Sequence, residues 1–402
     1  MKILTFGSIP YSRGGKTKHG LSSALFDLHL YLANLSNLSN TEVYLAAIDL
    51  REPRKNFEKL KIIGWTKLVI LKEVITKPLI TIKFILLSIL IKNKYDPERL
   101  VKILFKFLFY QYAIDKINPE IIQFHGCIDA LYAEFIRTNS FKVLRLHGIN
   151  GNDRSIRNFS KLFELEKRIT MKNFFNYVTF ISHETQKTWH ELYSSFNCKE
   201  KVILNGFDPK VFYFQNKKIE SNKISLITVA TINENKGQKR VIEAIAKSKN
   251  KDKLKYIVIG KNFVDVKNKD LFKLIAKYKV DVRILDYLKQ EELRNHLSIS
   301  DFFIMPSCNE GFGMAYIESI ACGTPIIIPQ HLPLAKEPGI LSKNNSIYLN
   351  DSSEEAIIEL LDRIDEYSFS GRIVADSIKN LTWDNIALQY SYELKNLTNN
   401  NG

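Results

Sequence analysis

The residues best suited to chemistry lie in one short segment, Pro306–Ser319, which reads PSCNEGFGMAYIES. A buried strand is predicted to end at Pro306, and a glycine-containing loop leads into a helix that starts near Gly313 or Met314. Glycine lets the backbone approach a ligand closely, and the free N–H groups of a helix start attract an anion. The segment therefore predicts a site for a diphosphate.

Two carboxylates flank this predicted anion site. Glu310 lies in the loop and Glu318 follows within the helix. Both are badly placed to bind phosphate but well placed to accept hydrogen bonds from hydroxyls on either side of it. A D-x-D pair, which holds a cation on the diphosphate in metal-dependent transferases, does not occur in the sequence. We therefore expect no metal site and no cofactor.

The elements that position these residues are two successive series of alternating strands and helices. A length of 402 residues favours two domains, because single hydrophobic cores stop growing at roughly 250–300 residues. We predict an α/β fold with two doubly wound Rossmann-like domains. Ligands of such sheets bind beyond the carboxyl ends of the strands, which would place the site in a cleft between facing domains.

The domains are predicted at 1–214 and 215–385, with a linker near Gln215–Lys223. Residues 386–402 are predicted to form a helix that crosses back to the first domain, followed by a tail. The first domain should contain a basic, apolar insertion at about 51–112.

Several segments of the second half together resemble family 4 of the retaining glycosyltransferases, the group 1 transferases of GT-B fold. The segment from Glu310 to Glu318 resembles the family's EGFG…E signature. Asn205-Gly206-Phe207-Asp208-Pro209 resembles its NG[VI]D junction, and Lys236-Gly237 followed by Val241-Ile242-Glu243-Ala244 resembles its KG…IEA segment. Gly323-Thr324-Pro325 resembles its G-x-P strand entry.

The resemblance implies roles for individual residues. Glu310 would contact the hydroxyls of the donor sugar, Glu318 would hold the ribose, and Lys236 would neutralise the leaving diphosphate. The implied donor-binding set is Gly14, Gly15, Lys236, Arg240, Leu285, Glu310, Gly311, Phe312, Gly313, Met314, Ala315 and Glu318. The implied catalytic set is Glu310, His147 and Lys236.

Two positions depart from the family pattern. Thr231 stands near a position where members often carry a second diphosphate-binding arginine, and Arg240 or Lys239 would have to replace that charge. Asp286 stands where many members have glycine near the nucleotide base. The departure at Thr231 keeps a catalytically silent protein among the alternatives.

The first domain matches the family less closely. Gly14-Gly15 resembles its glycine-rich loop, and a P-loop is excluded because Pro10 occupies the position of the required glycine. His147 follows a predicted strand and resembles the family histidine that touches the donor sugar. His125 and His19 are weaker candidates.

The formal net charge of +15 points to an anionic partner. Residues Arg51–Tyr110 contain fourteen Lys/Arg against five Asp/Glu and are strongly apolar. Arg99, Lys102 and Lys106 would share one helix face. Peripheral contact with an anionic membrane fits this composition, and ordinary core helices with solvated lysines are the alternative. Nucleic acid binding is not expected, because no basic recognition helix or aromatic platform is recognisable.

Together with these features, the family resemblance implies a metal-independent, retaining hexosyltransferase of polysaccharide or cell-envelope biosynthesis. Its partners would be a nucleotide sugar, with UDP favoured and GDP possible, and a glycan, lipid-linked or membrane-proximal acceptor. The alternatives are a silent GT-B subunit that supports a partner transferase, and a nucleotide-sugar epimerase or hydrolase. Four widely spaced cysteines and the lack of a signal peptide favour the cytoplasm, with peripheral attachment to the cytoplasmic membrane face.

Overall fold

The computed structural model describes residues 1–15, 17, 20–35, 40–52, 54–94, 100–149, 159–172, 174–216, 222–260 and 269–399. The chain divides into two compact units, one formed by Met1–Asn205 with Trp383–Gly402 and the other by Gly206–Thr382. The two divisions lie nine and three residues before the predicted boundaries at 214 and 385. Most of the predicted linker and His19 lie outside the described residues.

The first unit is built on a sheet of eight strands. These are β1 (Lys2–Gly7), β2 (Glu42–Ala47), β3 (Arg54–Phe57), β4 (Leu60–Ile63), β5 (Ile121–His125), β6 (Phe141–Leu146), β7 (Tyr177–Phe180) and β8 (Lys199–Val202). Their order is β3-β4-β2-β1-β5-β6-β7-β8, and all neighbours are parallel except β3 and β4. The central strands are buried and largely apolar, because helices cover both faces of a parallel sheet.

The helices of this unit connect the strands in the usual parallel-sheet manner. They are α1 (Gly20–Asn34), α2 (Lys67–Thr76), α3 (Pro78–Lys94), α4 (Leu100–Ile117), α5 (Gly126–Ala133), α6 (Phe159–Met171) and α7 (His183–Tyr193). Side-chain caps fix some of their starts: Ser182 accepts from the Thr185 N–H at 3.1 Å and Thr66 accepts from the Val69 N–H at 3.2 Å.

The second unit contains a six-stranded parallel sheet. Its strands are β9 (Ile224–Val229), β10 (Leu254–Ile259), β11 (Val282–Leu285), β12 (Phe302–Ile304), β13 (Ile326–Pro329) and β14 (Ser346–Leu349), in the order β11-β10-β9-β12-β13-β14. Its helices are α8 (Gln238–Lys247), α9 (Lys269–Tyr278), α10 (Gln290–Ser298), α11 (Met314–Ala321), α12 (Glu354–Asp362) and α13 (Gly371–Asp376). The prediction of two doubly wound α/β domains is confirmed.

The last helix, α14 (Trp383–Asn399), packs against α1 and is part of the first unit. Trp383 and Tyr390 are fully buried, so this helix contributes to the packed interior of that unit.

The region 51–112 contains one feature that the sequence did not predict. Residues of β3 and β4 form an antiparallel hairpin at the edge of the sheet, before α2, α3 and α4. In the predicted basic face of α4, Lys106 is already paired, because its ammonium lies 3.4 Å from Asp129 and over the ring of Tyr132. Arg99 is outside the described residues. None of the described helices is long and apolar enough to cross a membrane.

Candidate active site

The glycine loop, defined here as Pro306–Gly313, joins β12 to α11 at the carboxyl edge of the second sheet. Gly313 has a φ of 87° and immediately precedes the helix. A Cβ at this position would lie 2.6 Å from the ring of Tyr316, so glycine is required both by conformation and by space. The loop therefore delivers the chain directly into a helix start whose N–H groups can face an anion.

An ion pair joins this loop to a distant segment of the second unit. The Lys236 ammonium contacts Oε1 of Glu310, and Ser307 Oγ donates to the same carboxylate oxygen at 2.8 Å. The two side chains are only 21% and 11% exposed, so each charge depends on the other for compensation. The structure thus brings together two of the three predicted catalytic residues.

Lys236 is held in place by a hydrogen bond from its backbone N–H to the side chain of Asn233. It ends a short 3-10 turn, Glu234–Lys236, whose cap residue Asn233 accepts from the Lys236 N–H at 3.0 Å. The following Gly237 has a φ of 76°, and a Cβ there would lie 2.8 Å from the carbonyl oxygen of Pro306. Glycine is therefore needed for this turn to approach the glycine loop.

Asn235 fastens the turn to the glycine loop by three hydrogen bonds. Its side-chain amide donates to Asn309 O and accepts from Asn309 N–H, both at 2.9 Å. Its carbonyl accepts from Cys308 N–H at 2.9 Å. Sequence analysis missed this residue, although its position directly before Lys236-Gly237 was an available signal.

Arg240 lies beside the glycine loop and binds its backbone. The guanidinium donates to Pro306 O at 2.7 Å and to Glu234 O at 3.1 Å. Lys239, the other candidate for a second cation, is directed along α8 towards Glu243 at 4.0 Å and is half exposed. Thr231 supplies a carbonyl that accepts from the Gln238 amide at 3.2 Å.

The remaining predicted residues of the second unit fall into two places. Gly311, Phe312, Met314, Ala315 and Glu318 lie in the loop and the first turns of α11; Phe312 is buried, and the other four are half-buried. Leu285 ends β11, three strands from β12 in the sheet, and its carbonyl accepts from Gly260 N–H at 3.1 Å. It therefore shares the carboxyl edge of the sheet but not the loop.

Asp286, the second residue that departs from the family pattern, is exposed, and its carboxylate accepts a hydrogen bond from Tyr287 N–H.

In the first unit, Gly14 and Gly15 form a tight loop after β1. Gly14 has a φ of 83°, and a Cβ on Gly15 would lie 1.9 Å from the carbonyl oxygen of Ile9. Gly15 N–H donates to Pro10 O at 2.9 Å, which closes the turn. Both glycines are thus required by the local backbone.

His147 follows β6 and contacts His125, which ends the neighbouring strand β5. His125 Nδ1 lies 2.8 Å from His147 Nε2, and the rings stack with centroids 5.1 Å apart. Burial, followed by the positive charge of Arg145, lowers the pKa of His147 well below 6.5. Burial likewise lowers the pKa of His125. One neutral ring therefore donates a hydrogen bond to the other.

Further polar groups are buried beneath these two histidines. His29 donates from Nδ1 to Leu25 O at 2.7 Å and lies 3.0 Å from the Gln123 amide; burial lowers its pKa to about 4. Arg145 is fully buried and donates to Leu204 O and to Asn205 Oδ1. Burial lowers its pKa to about 10. Sequence analysis found no functional signal for His29 in α1 or for Arg145 in β6.

Among the described residues, no group of three or more His, Cys, Asp or Glu side chains could hold a metal ion.

One family model matches most of the second unit. Residues 209–366 match the family model "Glycosyl transferases group 1". The O-antigen biosynthesis glycosyltransferase WclY of Escherichia coli is 30% identical over 151 residues, covering 35% of this chain and 40% of that protein. The chain spans about half the length of the curated relatives it matches, which share 55%, 40% and 48% of their length with it.

Solved structures are similar over nearly the whole chain. Sucrose-phosphate synthase from Thermosynechococcus elongatus has a TM-score of 0.76 at 14% identity, covering 99% of both chains. Anabaena HepE in complex with UDP and glucose has a TM-score of 0.68 at 14% identity, covering 98% of this chain and 100% of that one. These similarities show the GT-B fold. With the family match, they support a GT-B glycosyltransferase.

Proposed function

We propose that this protein is a retaining glycosyltransferase that moves a hexose from a nucleotide diphosphate sugar to an acceptor hydroxyl. The observation that carries the proposal is the Lys236–Glu310 ion pair beside the start of α11. It combines a cation for phosphate with a carboxylate for sugar hydroxyls at one loop. The group 1 family match, which includes this loop, supports the assignment.

The donor diphosphate is proposed to bind at the start of α11. The free N–H groups there and the Lys236 ammonium would stabilise the negative charge that develops as the diphosphate leaves. Glu310 and the backbone of Phe312–Met314 would contact the sugar, and Glu318 would hold the ribose hydroxyls. Leu285, at the carboxyl end of β11, would lie towards the base.

The reaction needs no carboxylate nucleophile in this proposal. The bond from the anomeric carbon to the phosphate oxygen breaks, and a bond to the acceptor oxygen forms on the same face. The acceptor proton passes to an oxygen of the leaving diphosphate. Lys236 and the helix N–H groups, instead of a metal ion, carry the charge, so the proposed mechanism is metal-independent.

Arg240 is proposed to compensate for the threonine at position 231. Its guanidinium already binds the carbonyl of Pro306 at the base of the glycine loop. From there it would add positive potential beneath the diphosphate without direct contact. Lys239 is a poorer substitute because it is directed towards Glu243.

In the first unit, His147 is proposed to hydrogen-bond the donor sugar, with the Gly14-Gly15 loop facing the diphosphate through its backbone. The lowered pKa of His147 fits this role, because a neutral imidazole can donate to one hydroxyl without adding charge near the anomeric carbon.

The donor is proposed to be a UDP-sugar, with a GDP-sugar as the alternative. UDP is favoured because the structural neighbour HepE is described in complex with UDP and glucose. The acceptor is proposed to be a glycan, lipid-linked or membrane-proximal hydroxyl of cell-envelope polysaccharide assembly, in line with the O-antigen role in the name of WclY. The protein would act in the cytoplasm, at the membrane surface.

Thr231 favours one second candidate, a catalytically silent GT-B subunit that supports a partner transferase. Calorimetry separates the two, because a silent subunit would bind no sugar nucleotide. An epimerase or hydrolase on the same fold would instead convert the donor without any acceptor.

The decisive experiment is a donor screen by thermal shift, followed by transfer assays on Glu310→Ala and Lys236→Ala. We expect both variants to lose transfer, whereas Lys239→Ala, a neighbouring exposed lysine on α8, should keep it. Transfer that survives unchanged in both site variants would refute the site assignment.

A further inference from the structure

Helices α2 and α3 expose an unusual amount of apolar surface. The exposed apolar stripe consists of Leu68, Leu71, Ile75, Leu79, Ile82 and Leu86, which are between 54% and 81% exposed. Their spacing of three or four residues places them along one side of the two consecutive helices. A contiguous apolar patch of this kind marks an interaction surface.

Packing on its opposite side fixes the orientation of α3, so the stripe is exposed in a helix that is held against the first unit. Phe84 is buried, and its ring stacks on Phe107 of α4 with centroids 4.6 Å apart. This contact fixes which side of α3 faces the interior.

Helix α3 lacks the mainly polar outward side of a normal surface helix. Its buried side carries Phe84 together with Thr81 and Ser88, whose hydroxyls have no hydrogen-bond partner among the described residues. The outward side carries Leu79, Ile82 and Leu86. A helix packed on a protein core in water should have mainly polar residues on that outward side. The outward side of α3 is therefore suited to an apolar environment.

The charged residues beside the exposed apolar stripe indicate that its partner is anionic. Lys67, Lys72 and Lys83 are exposed and make no ion pair with any described residue. The acidic residue of α2, Glu73, is already paired with Lys77 at 2.7 Å. The surface is thus apolar and cationic, without exposed carboxylates on the described parts of α2 and α3.

We propose that the exposed apolar stripe inserts into the interface of a bilayer that carries anionic lipids, with the three lysines bound to lipid headgroups. A second copy of the chain fits less well, because pairing two stripes would bring the lysines of both copies together. An anionic bilayer supplies both the apolar environment and the opposite charge. The inference deepens the proposed function, since it names the surface that would hold the protein beside a membrane-proximal acceptor.

The test is flotation of the full chain with phosphatidylcholine vesicles that contain or lack phosphatidylglycerol, at low and high salt. No donor or acceptor is present, so the result is independent of catalysis and a failure here leaves the proposed transfer reaction untouched. We expect binding to the anionic vesicles at low salt. Absence of that binding would overturn the proposal.

Matched variants localise the binding. Ile82→Glu should lower the vesicle partition coefficient about tenfold or more. Ile373→Glu should not, although Ile373 on α13 is 54% exposed against 55% for Ile82. Equal losses in both variants would overturn the assignment to the stripe. Lys72→Gln with Lys83→Gln should weaken binding to anionic vesicles and leave the neutral ones unaffected.

Folding and self-association are checked on the same samples. If circular dichroism shows that Ile82→Glu does not fold, the milder Leu79→Ser/Ile82→Ser variant replaces it, with the same expected direction. Sedimentation velocity reports the oligomeric state. A wild-type dimer that Ile82→Glu dissociates, without any vesicle binding, would assign the stripe to a second copy and reject the bilayer.

Discussion

The two units treat ionisable groups in opposite ways. In the second unit, Lys236 and Glu310 form an ion pair at the glycine loop. In the first unit, the histidine cluster of His29, His125 and His147 is held neutral by burial next to Arg145. Under the proposed function, the second unit would supply charge for a leaving group, and the first would supply uncharged hydrogen-bond donors.

The interactions that hold the glycine loop differ from those that hold the histidine cluster. The glycine loop is held by hydrogen bonds from side chains of other segments, including Asn235, Arg240, His331 and Ser352. The histidines His125 and His147 are instead brought together by two adjacent parallel strands. Substitutions at the glycine loop should therefore change mainly the kinetic constants, and substitutions in the histidine cluster should change mainly the pH dependence of stability.

The largest effect is expected for Lys236→Ala. Loss of the cation should lower kcat about 10²–10³-fold, because its stabilisation of the leaving diphosphate would be gained mainly in the transition state. The melting temperature should fall as well, because the largely buried Glu310 carboxylate loses the cation that compensates its charge and keeps only the hydrogen bond from Ser307. Initial rates and differential scanning calorimetry measure the two effects.

A matched control for this variant is Lys239→Ala, which removes the same charge from the exposed face of α8. A comparable loss of kcat in both variants would mean that general positive potential, and not the position of Lys236, supports catalysis.

Acidification should destabilise the protein through the histidine cluster. Because burial lowers the pKa of His29 from 6.5 to about 4, the unfolded chain binds more protons than the folded one between these values. Stability is therefore lost as the pH falls below 6.5. Each such histidine should cost about 1.4 kcal/mol at one pH unit below its unfolded pKa. Urea unfolding between pH 7 and 5 measures this slope.

The variant His29→Gln isolates one member of the cluster. Glutamine can still donate to Leu25 O but does not titrate, so the slope below pH 6.5 should become smaller. An unchanged slope would place the acid sensitivity outside the cluster.

A smaller effect is expected for Asn235→Ala. The substitution removes two side-chain hydrogen bonds to Asn309, each contributing about 0.5–1.5 kcal/mol, and leaves the backbone bond to Cys308. The glycine loop should become less ordered, so KM for the donor should rise more than kcat falls. Asn233→Ala serves as a comparison, because it removes the cap of the same turn without touching the loop. Equal kinetics in the two variants would contradict a specific role of Asn235.

Much of the second unit could be predicted from sequence because its elements are local. The strand ending at Pro306, the glycine loop and the helix from Met314 are contiguous, and the apolar runs mark the strands directly. The Lys236–Glu310 contact could not be derived from spacing, since it depends on how β9 and β12 pair. The hydrogen bonds of Asn235 to Asn309 depend on the same pairing, although the place of Asn235 directly before Lys236-Gly237 was an available signal.

In the first unit, the pairing of His125 with His147 was within reach, because consecutive parallel strands place their ends side by side. The burial of His29 and Arg145 was not. Their environments arise from α1, from the segment around Asn205 and from α14, which are distant in sequence. The region 51–112 was predicted as basic and apolar, but only the fixed orientation of α3 shows which side is exposed.

Under the proposed function, the Lys236–Glu310 pair also has a consequence for product release. A ligand that offers only phosphate would draw Lys236 away and leave Glu310 without its cation. A sugar nucleotide would satisfy both side chains at once, since its hydroxyls can donate to Glu310. After transfer the sugar is gone, and Glu310 becomes an internal competitor for Lys236. The same pair that admits the intact donor would thus help to expel the spent nucleotide.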